Sequence, residues 1–293
     1  MSPNRNIIAV CLAAAVLTMA AAGAIAAPKA ELWARWKQHD PESTARIDHA
    51  AWSGLIAKYR RMSPDGIARF AYGAVSAADS AALKAYIGRL ANTPVSRFNR
   101  REQFAYWVNF YNALTVRTVL DHYPVESIRD IDITPGWFAD GPWGAKQVIV
   151  ESEKVSLDDI EHRILRPIWA DPRTHYVVNC ASLGCPDIPA VAMTADNAEK
   201  LLNDGAAGYV NHPRGVTVGG GRVVVSSIYE WFQADFGGTE AGVLDHLRRY
   251  ASPALQAKLK DRDGYDGHAY DWLPVRLCRS EKSISGRSAP SPF

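Results

Sequence analysis

The 293-residue sequence predicts an α+β fold, mainly helical, with a small, largely antiparallel sheet and a buried central helix. Three observations carry that expectation. Several segments repeat apolar residues at spacings of three and four, the signature of amphipathic helices. One long segment is apolar all the way round. Short alternating runs, separated by Gly-rich turns, supply strands too few and too brief for anything but a small sheet.

Taken in order, the chain begins "MSPNRNIIAVCLAAAVLTMAAAGAIAAPKA", with a basic start at Arg5, an apolar run from Ile7 to Ala22 and an A-x-A pattern at 24–26. This reads as a secretory signal peptide over residues 1–26, too short and Ala-rich for a retained span. It predicts a periplasmic or secreted protein with no membrane span after cleavage. Residues 27–95 form a helical lobe, with helices in "ELWARWKQ", "DHAAWSGLIAKYRRM" and "AADSAALKAYIGRLA". The next helix, "RREQFAYWVNFYNALTVRTVLDHYP", starts after a cap at Asn99 and stops before Pro124. A helix apolar on every side is a buried one. Asn109 and Asn112, inside it, must therefore find hydrogen-bond partners.

A Gly/Pro/Trp-rich loop, "ITPGWFADGPWGAKQVIV", leads to the helix "VSLDDIEHRILRPIW", with Ser156 as N-cap and Pro167 limiting its end. Glu161 falls within its apolar stripe and His162 on the flank. "HYVVN" alternates as a strand should and ends at Cys180. Beyond it come the helix "TADNAEKLLNDGAAGYV", a hairpin in "VTVGGGRVVV", and "SSIYEWFQADFGG", a helix opened by a Ser227–Glu230 capping box. Two further helices, 239–250 and 253–260, precede "GYDGHAYDWLPVRLC". The small, polar residues 279–293 read as a disordered tail, leaving 96–278 as the main domain.

Composition narrows the function. A net charge of +2 with scattered basic residues argues against a nucleic-acid surface. Four cysteines become three once Cys11 leaves with the leader: Cys180, Cys185 and Cys278. An odd count in an oxidising compartment leaves a thiol unpaired or bridged between chains. Cys180, at a strand end before "ASLG", suits a nucleophile beside small residues whose N–H groups near Ala181 and Ser182 can hold an oxyanion. Two other readings remain open: a Cys180–Cys185 disulfide, and a zinc site of His175, Cys180 and Cys185, whose spacing fits no standard structural site.

"FAYWVNFYNALTV", "SLDDIEHRILRP", "THYVVNCASLGCP", "SSIYEWFQADF" and "YDW" together resemble the signature segments of the DUF 547 family, a domain of unknown function, from about Arg97 to Trp272. The resemblance implies that Asn109, Asn112, Glu161, His162, His175, Cys180, Trp231 and Asp235 occupy signature positions. In plant relatives the position of Cys185 is often not cysteine, which favours a separate role for Cys180. The resulting expectation is a cysteine-nucleophile hydrolase or acyltransferase acting on amide or thioester bonds. Its candidate catalytic residues are Cys180, His162, His175, Asn112 and Glu161, with no cofactor and no metal. The ligand would be a small molecule or peptide of the cell envelope. The alternative is a non-catalytic envelope binding or scaffolding module, with aromatic residues for recognition and a structural Cys180–Cys185 disulfide.

Overall fold

The structure, a computed structural model, describes residues 28–136 and 141–273. The expected signal peptide, residues 137–140, Cys278 and the expected disordered tail lie outside the described residues. Within them the molecule is the mainly helical α+β fold the sequence predicts, with its strands in small antiparallel or mixed sheets.

Helix α2 (Ala77–Ala91) packs against α3 (Arg100–Asp121) and α1 (Ala50–Tyr59) against α2, with the short hairpin of β1 (Arg60–Met62) and β2 (Ala68–Phe70) following α1. The Asn99 side chain caps α3 by accepting from the N–H groups of Arg101 and Glu102. Along α3 every residue from Glu102 to Val116 is buried. Each large apolar side chain fully buried this way contributes roughly 1.5–3 kcal/mol. The two buried amides answer the demand their burial creates. Asn109 donates to the Met193 carbonyl at 2.7 Å and accepts from the Met193 N–H at 2.9 Å. One turn on, Asn112 donates to the Val177 carbonyl at 2.7 Å and accepts from the Asn179 N–H at 2.9 Å. Each amide presents a donor and an acceptor side by side, as a neighbouring strand would.

That arrangement explains the first departure from expectation. "HYVVN" is not a strand. Pro172–Tyr176 is a 3-10 helix and residues 177–180 are irregular, because Asn112 takes the backbone groups that a ladder would need. The alternation has another cause: the segment runs along the seam of two cores. Val177 and Val178 enter the core around α3, whereas Tyr176 enters a second core with Tyr209, Tyr229, Phe236 and Leu247. The expected central strand bearing Cys180 is therefore replaced by a loop.

"VSLDDIEHRILRPIW" is helical but widened: a π-helix, Asp159–Leu165, runs into α4 (Arg166–Trp169). Ser156 caps it as expected, accepting from the Asp159 N–H. Pro167 has no N–H for the preceding turn. The His162 carbonyl instead accepts from the Glu31 N–H, and the Arg163 carbonyl from the Trp33 N–H. Residues 31–33 are drawn out straight to do this, so "ELWARWKQ" keeps only a 3-10 turn, Ala34–Lys37. The helix follows a short hairpin of β3 (Val148–Val150) and β4 (Glu153–Val155).

The second core is enclosed by α5 (Ala198–Val210), the hairpin β5 (Val216–Gly219) and β6 (Arg222–Ser226), α6 (Ser227–Trp231), α7 (Glu240–Tyr250) and α8 (Pro253–Leu259). Gly220 and Gly221, both at positive φ, make the hairpin turn the sequence predicts. The cap of α6 is Ser226, one residue before the expected capping box, and Glu230 accepts from the Tyr265 hydroxyl instead. The helix breaks at Phe232, so Asp235 sits in a separate 3-10 turn, Gln233–Phe236. Strand β7 (Gly267–Ala269) joins β6 in parallel and delivers the Tyr270–Leu273 segment to the Cys180 loop.

Candidate functional site: the Cys180 loop and the buried His175 network

Cys180 and Cys185 are both free thiols, the first part-buried and the second fully buried. The structural disulfide that the sequence allows is thus not formed. The loop between them is stitched internally. The Cys180 N–H points at the Cys185 sulfur at 2.8 Å. The Asn179 side chain accepts from the Ala181 N–H and donates to the Pro186 carbonyl. Ala181 is held at φ 62, the left-handed region that a residue with a Cβ rarely enters. Such strain persists only where surroundings enforce it, and it concentrates at functional sites. One consequence runs against expectation: the N–H groups of Cys180 and Ala181 are already engaged, so neither waits for an oxyanion.

The rest of the thiol's surroundings come from 90 residues downstream. The Leu183 N–H donates to the Leu273 carbonyl and the Gly184 N–H to the Asp271 carbonyl. A Cβ on Gly184 would strike the Tyr270 ring and the Asp271 nitrogen at 2.9 Å, so only glycine allows the approach. Docked this way, the Tyr270 hydroxyl lies 3.1 Å from the Cys180 sulfur and 2.9 Å from the Ser182 hydroxyl, itself 3.3 Å from the sulfur. Hydrogen bonding from the Cys185 thiol, and then from the Ser182 and Tyr270 hydroxyls, lowers the Cys180 pKa, against burial and the nearby Glu161 charge. Burial, with the same pairing, raises Cys185 well above its ordinary value, so the proton stays there. Tyr270 is also raised by burial and by the thiols and remains a donor. Around it Trp231, Trp272 and Trp143 form an aromatic wall, with the Tyr270 and Trp272 ring centroids 4.6 Å apart.

The other signature residues gather in a separate, buried network. His175 donates through Nε2 to Asp235 at 2.7 Å, and its Nδ1 lies 3.7 Å from Glu161. Asp235 also accepts from Arg166 Nε at 2.6 Å. The Arg166 guanidinium meets His162 Nδ1 at 3.0 Å and the Pro28 carbonyl at 2.7 Å. Phe232 is covered by the stacked His175 ring and by the Arg166 guanidinium, both 4.5 Å from its centroid. Burial opposes charge on His175, but Asp235 and Glu161 outweigh it and raise its pKa above the ordinary histidine value. Burial alone would raise Glu161, yet His162, His175 and Arg166 bring it down to about 2. Burial lowers His162 to about 4, so it is neutral.

The structure therefore divides the five predicted site residues between two places. Cys180 stands in the loop. Glu161, His162 and His175 belong to the network, and among the described residues no imidazole hydrogen-bonds the Cys180 sulfur. Asn112 orients no imidazole; it clamps backbone at Val177 and Asn179. His175 is committed to Asp235 rather than joining Cys180 and Cys185 in a zinc site, and among the described residues no group of three or more His, Cys, Asp or Glu side chains could hold a metal ion. None of the described helices is long and apolar enough to cross a membrane. Reading the sequence missed Tyr270 and Ser182 as the thiol's partners. Ser182 reads there only as a small residue, and Tyr270 sits in "YDW", which carries kinship but no evident chemistry.

Comparison with known proteins gives one match. Residues 95–210 fit the family model described as a protein of unknown function, DUF547. It takes in α3, the π-helix, the Cys180 loop and α5, and stops short of Asp235 and Tyr270. Neither a curated protein nor a solved structure matches the chain.

Proposed function

The chain carries a DUF547 domain, and from that premise we propose that it is a thiol-dependent hydrolase or acyltransferase in which Cys180 attacks a thioester or similarly activated acyl group. The supporting observation is the setting of the sulfur: free, part-buried and facing three hydrogen-bond donors that favour its thiolate. A thiol whose pKa is lowered in this way ionises more readily and leans less on a general base at the moment of attack. The sulfur forms a bond to the acyl carbon, the carbonyl oxygen takes the negative charge, and the leaving group departs as its anion and collects a proton from water. Water or an amine then takes the acyl group from Cys180.

Among the described residues no imidazole stands at the sulfur, and this shapes the substrate. An amide leaves as an amine and must be given a proton as it goes. Tyr270, raised well above 10, donates hydrogen bonds but parts with its proton reluctantly. Thioesters leave as thiolates and need no such donor, so this reading favours them over amides. Glu161, His162, His175 and Asn112 are then positioning residues that hold the walls of the site. The leader-like residues 1–26 support work outside the cytosol, which fractionation and N-terminal sequencing of the mature protein test.

The decisive experiment incubates the protein with a short-chain acyl thioester, and separately with the matching amide, and looks for an acyl group by mass spectrometry. The thioester should label the peptide containing Cys180, and Cys180→Ala should abolish labelling. No adduct from any activated acyl compound at neutral pH would end the proposal. The aromatic wall of Trp143, Trp231, Tyr270 and Trp272 favours a second reading, a non-catalytic module for an apolar or carbohydrate ligand. Ligand binding that quenches tryptophan fluorescence equally in wild type and Cys180→Ala, with no acylation in either, would select it.

A further inference from the structure

We propose that Cys180 and Cys185 also form a thiol–disulfide exchange pair, Cys180 attacking a substrate disulfide and Cys185 resolving it. The inference rests on Cys180 being nucleophilic but not on its acyl chemistry. Three features of the loop carry it. The two thiols are unbridged yet meet, the Cys180 N–H pointing at the Cys185 sulfur at 2.8 Å. Their exposures are unequal: Cys180 is part-buried, whereas Cys185 is buried at 5% exposed. The backbone between them is bent ahead of time, with Ala181 in the left-handed region and a turn closed from the Cys185 N–H to the Ser182 carbonyl.

Unequal thiols at contact distance are what exchange chemistry requires. The accessible one must be the better thiolate, and the hidden one must keep its proton until a mixed disulfide exists. The lowered Cys180 and raised Cys185 pKa values agree with that order. In the first step the Cys180 thiolate bonds to one sulfur of the substrate disulfide and the other sulfur leaves as a thiolate. That thiolate takes the Cys185 proton, directly or through water. Cys185 then bonds to the Cys180 sulfur and expels the second substrate thiolate, which water protonates. The substrate disulfide gains two electrons and two protons and ends as two thiols. The protein loses the same and ends with a Cys180–Cys185 disulfide. Run backwards, the oxidised loop inserts a disulfide into a dithiol. While it is oxidised, Cys180 has no thiolate to acylate.

The test uses the full chain, reduced and then exposed at neutral pH to oxidised glutathione or, in a second arm, to insulin as a protein disulfide. Mass spectrometry follows the peptide that contains both cysteines. In wild type this peptide should become lighter by two hydrogens, with little mixed disulfide accumulating. Cys185→Ser should stop at a stable mixed disulfide on Cys180, and Cys180→Ser should form neither product on this peptide. A response to glutathione alone would assign small disulfides as the substrate, and a response to insulin assigns polypeptides. The proposal is overturned if wild type keeps both thiols in either oxidant, if it accumulates mixed disulfide as Cys185→Ser does, or if Cys185 reacts first when Cys180 is serine. Cys185→Ser also separates this inference from the acyl reading. It should still take an acyl group from the thioester, more slowly because a donor to the Cys180 sulfur is altered, while losing the internal disulfide, whereas loss of acylation with intact exchange in wild type would remove the acyl reading alone.

Discussion

The thiol loop and the His175 network use their polar groups in opposite ways. In the network Asp235 serves both His175 and Arg166, Arg166 serves Asp235, His162 and Pro28, and the His175 ring lies against Phe232. A buried charge set so fully paired is costly to break and has little left to offer a substrate. The loop is the reverse. Its backbone is tied down on every side, but the Cys180 sulfur is left part-buried among donors that favour its anion. Signature residues are therefore of two kinds here, those paired within the buried network and the one that keeps a free, part-buried sulfur. The Glu161 charge even opposes ionisation of the thiol, which is hard to reconcile with the network as its activator.

The sharpest division concerns Cys180 itself. Cys180→Ala should remove acyl labelling altogether while the melting temperature moves by no more than a few degrees. A collapse in stability would make the thiol a structural element and dissolve the contrast. Acid titration separates the regions next. Burial lowers His162, His49 and His246 to about 4 in the folded protein. Below about pH 6.5 the unfolded chain takes up protons that these sites refuse, so stability should fall between about pH 6.5 and 4. A tenfold difference in proton affinity between folded and unfolded chain is worth about 1.4 kcal/mol, so the three histidines together should cost several kcal/mol. Glu161 and Asp235, both held at about 2, act in a lower window, their contribution being lost only as pH falls below about 4 towards 2. His175 works the other way: its raised pKa adds stability below about 6.5, which is lost as pH rises through its folded value. Urea melts across pH would register a flat acid limb as a failure of this account.

Asp235→Ala strips Arg166 and His175 of their shared partner and should cost roughly 3–5 kcal/mol. The folded fraction should still acylate at Cys180. Loss of labelling without loss of stability would move Asp235 from the network into the chemistry. Asn112→Ala leaves the Val177 carbonyl and the Asn179 N–H buried without their partner, at about 1–3 kcal/mol for each group. The smallest effect belongs to Tyr270→Phe. Removing one donor from the thiolate should move the pH profile of alkylation upward by about one pH unit, since a hydrogen bond to a charged group contributes roughly 1.5–3 kcal/mol. An unchanged profile would remove Tyr270 from the thiol's environment.

How far these features could be read in advance depended on whether their cause was local. The all-round apolar pattern of α3, its cap at Asn99, the Gly220–Gly221 hairpin and the helix after Ser156 each rest on neighbours within a few residues, and each formed as expected. The demand of Asn109 and Asn112 for partners was also legible, although the partners themselves were not. "HYVVN" misled because alternation reports two buried sides, and here those sides are two cores rather than two faces of a sheet. Cys180 could be singled out from its flanking small residues. Its partner Tyr270 could not, since only the docking of residues 271–273 against 183–184 brings it there. The break in the 227–236 helix was equally hidden, and with it the turn that aims Asp235 at His175.

The two asparagines of α3 hold the chain at Asn179 and again at Met193, from positions one turn apart on a single rigid rod. What lies between is a loop mounted on two adjacent pegs. Between the pegs the chain is pinned again at Asp187 and Ile188 by Arg214 and Arg60, and only the bend at Ala190 and Val191 is exposed. Doubling a flexible closure costs only about 0.6 kcal/mol, so that bend can accept an insert without re-registering α3 or either core. A protein built this way is an exchangeable tool-holder, in which one helix keeps the socket while what projects from the bend is free to change.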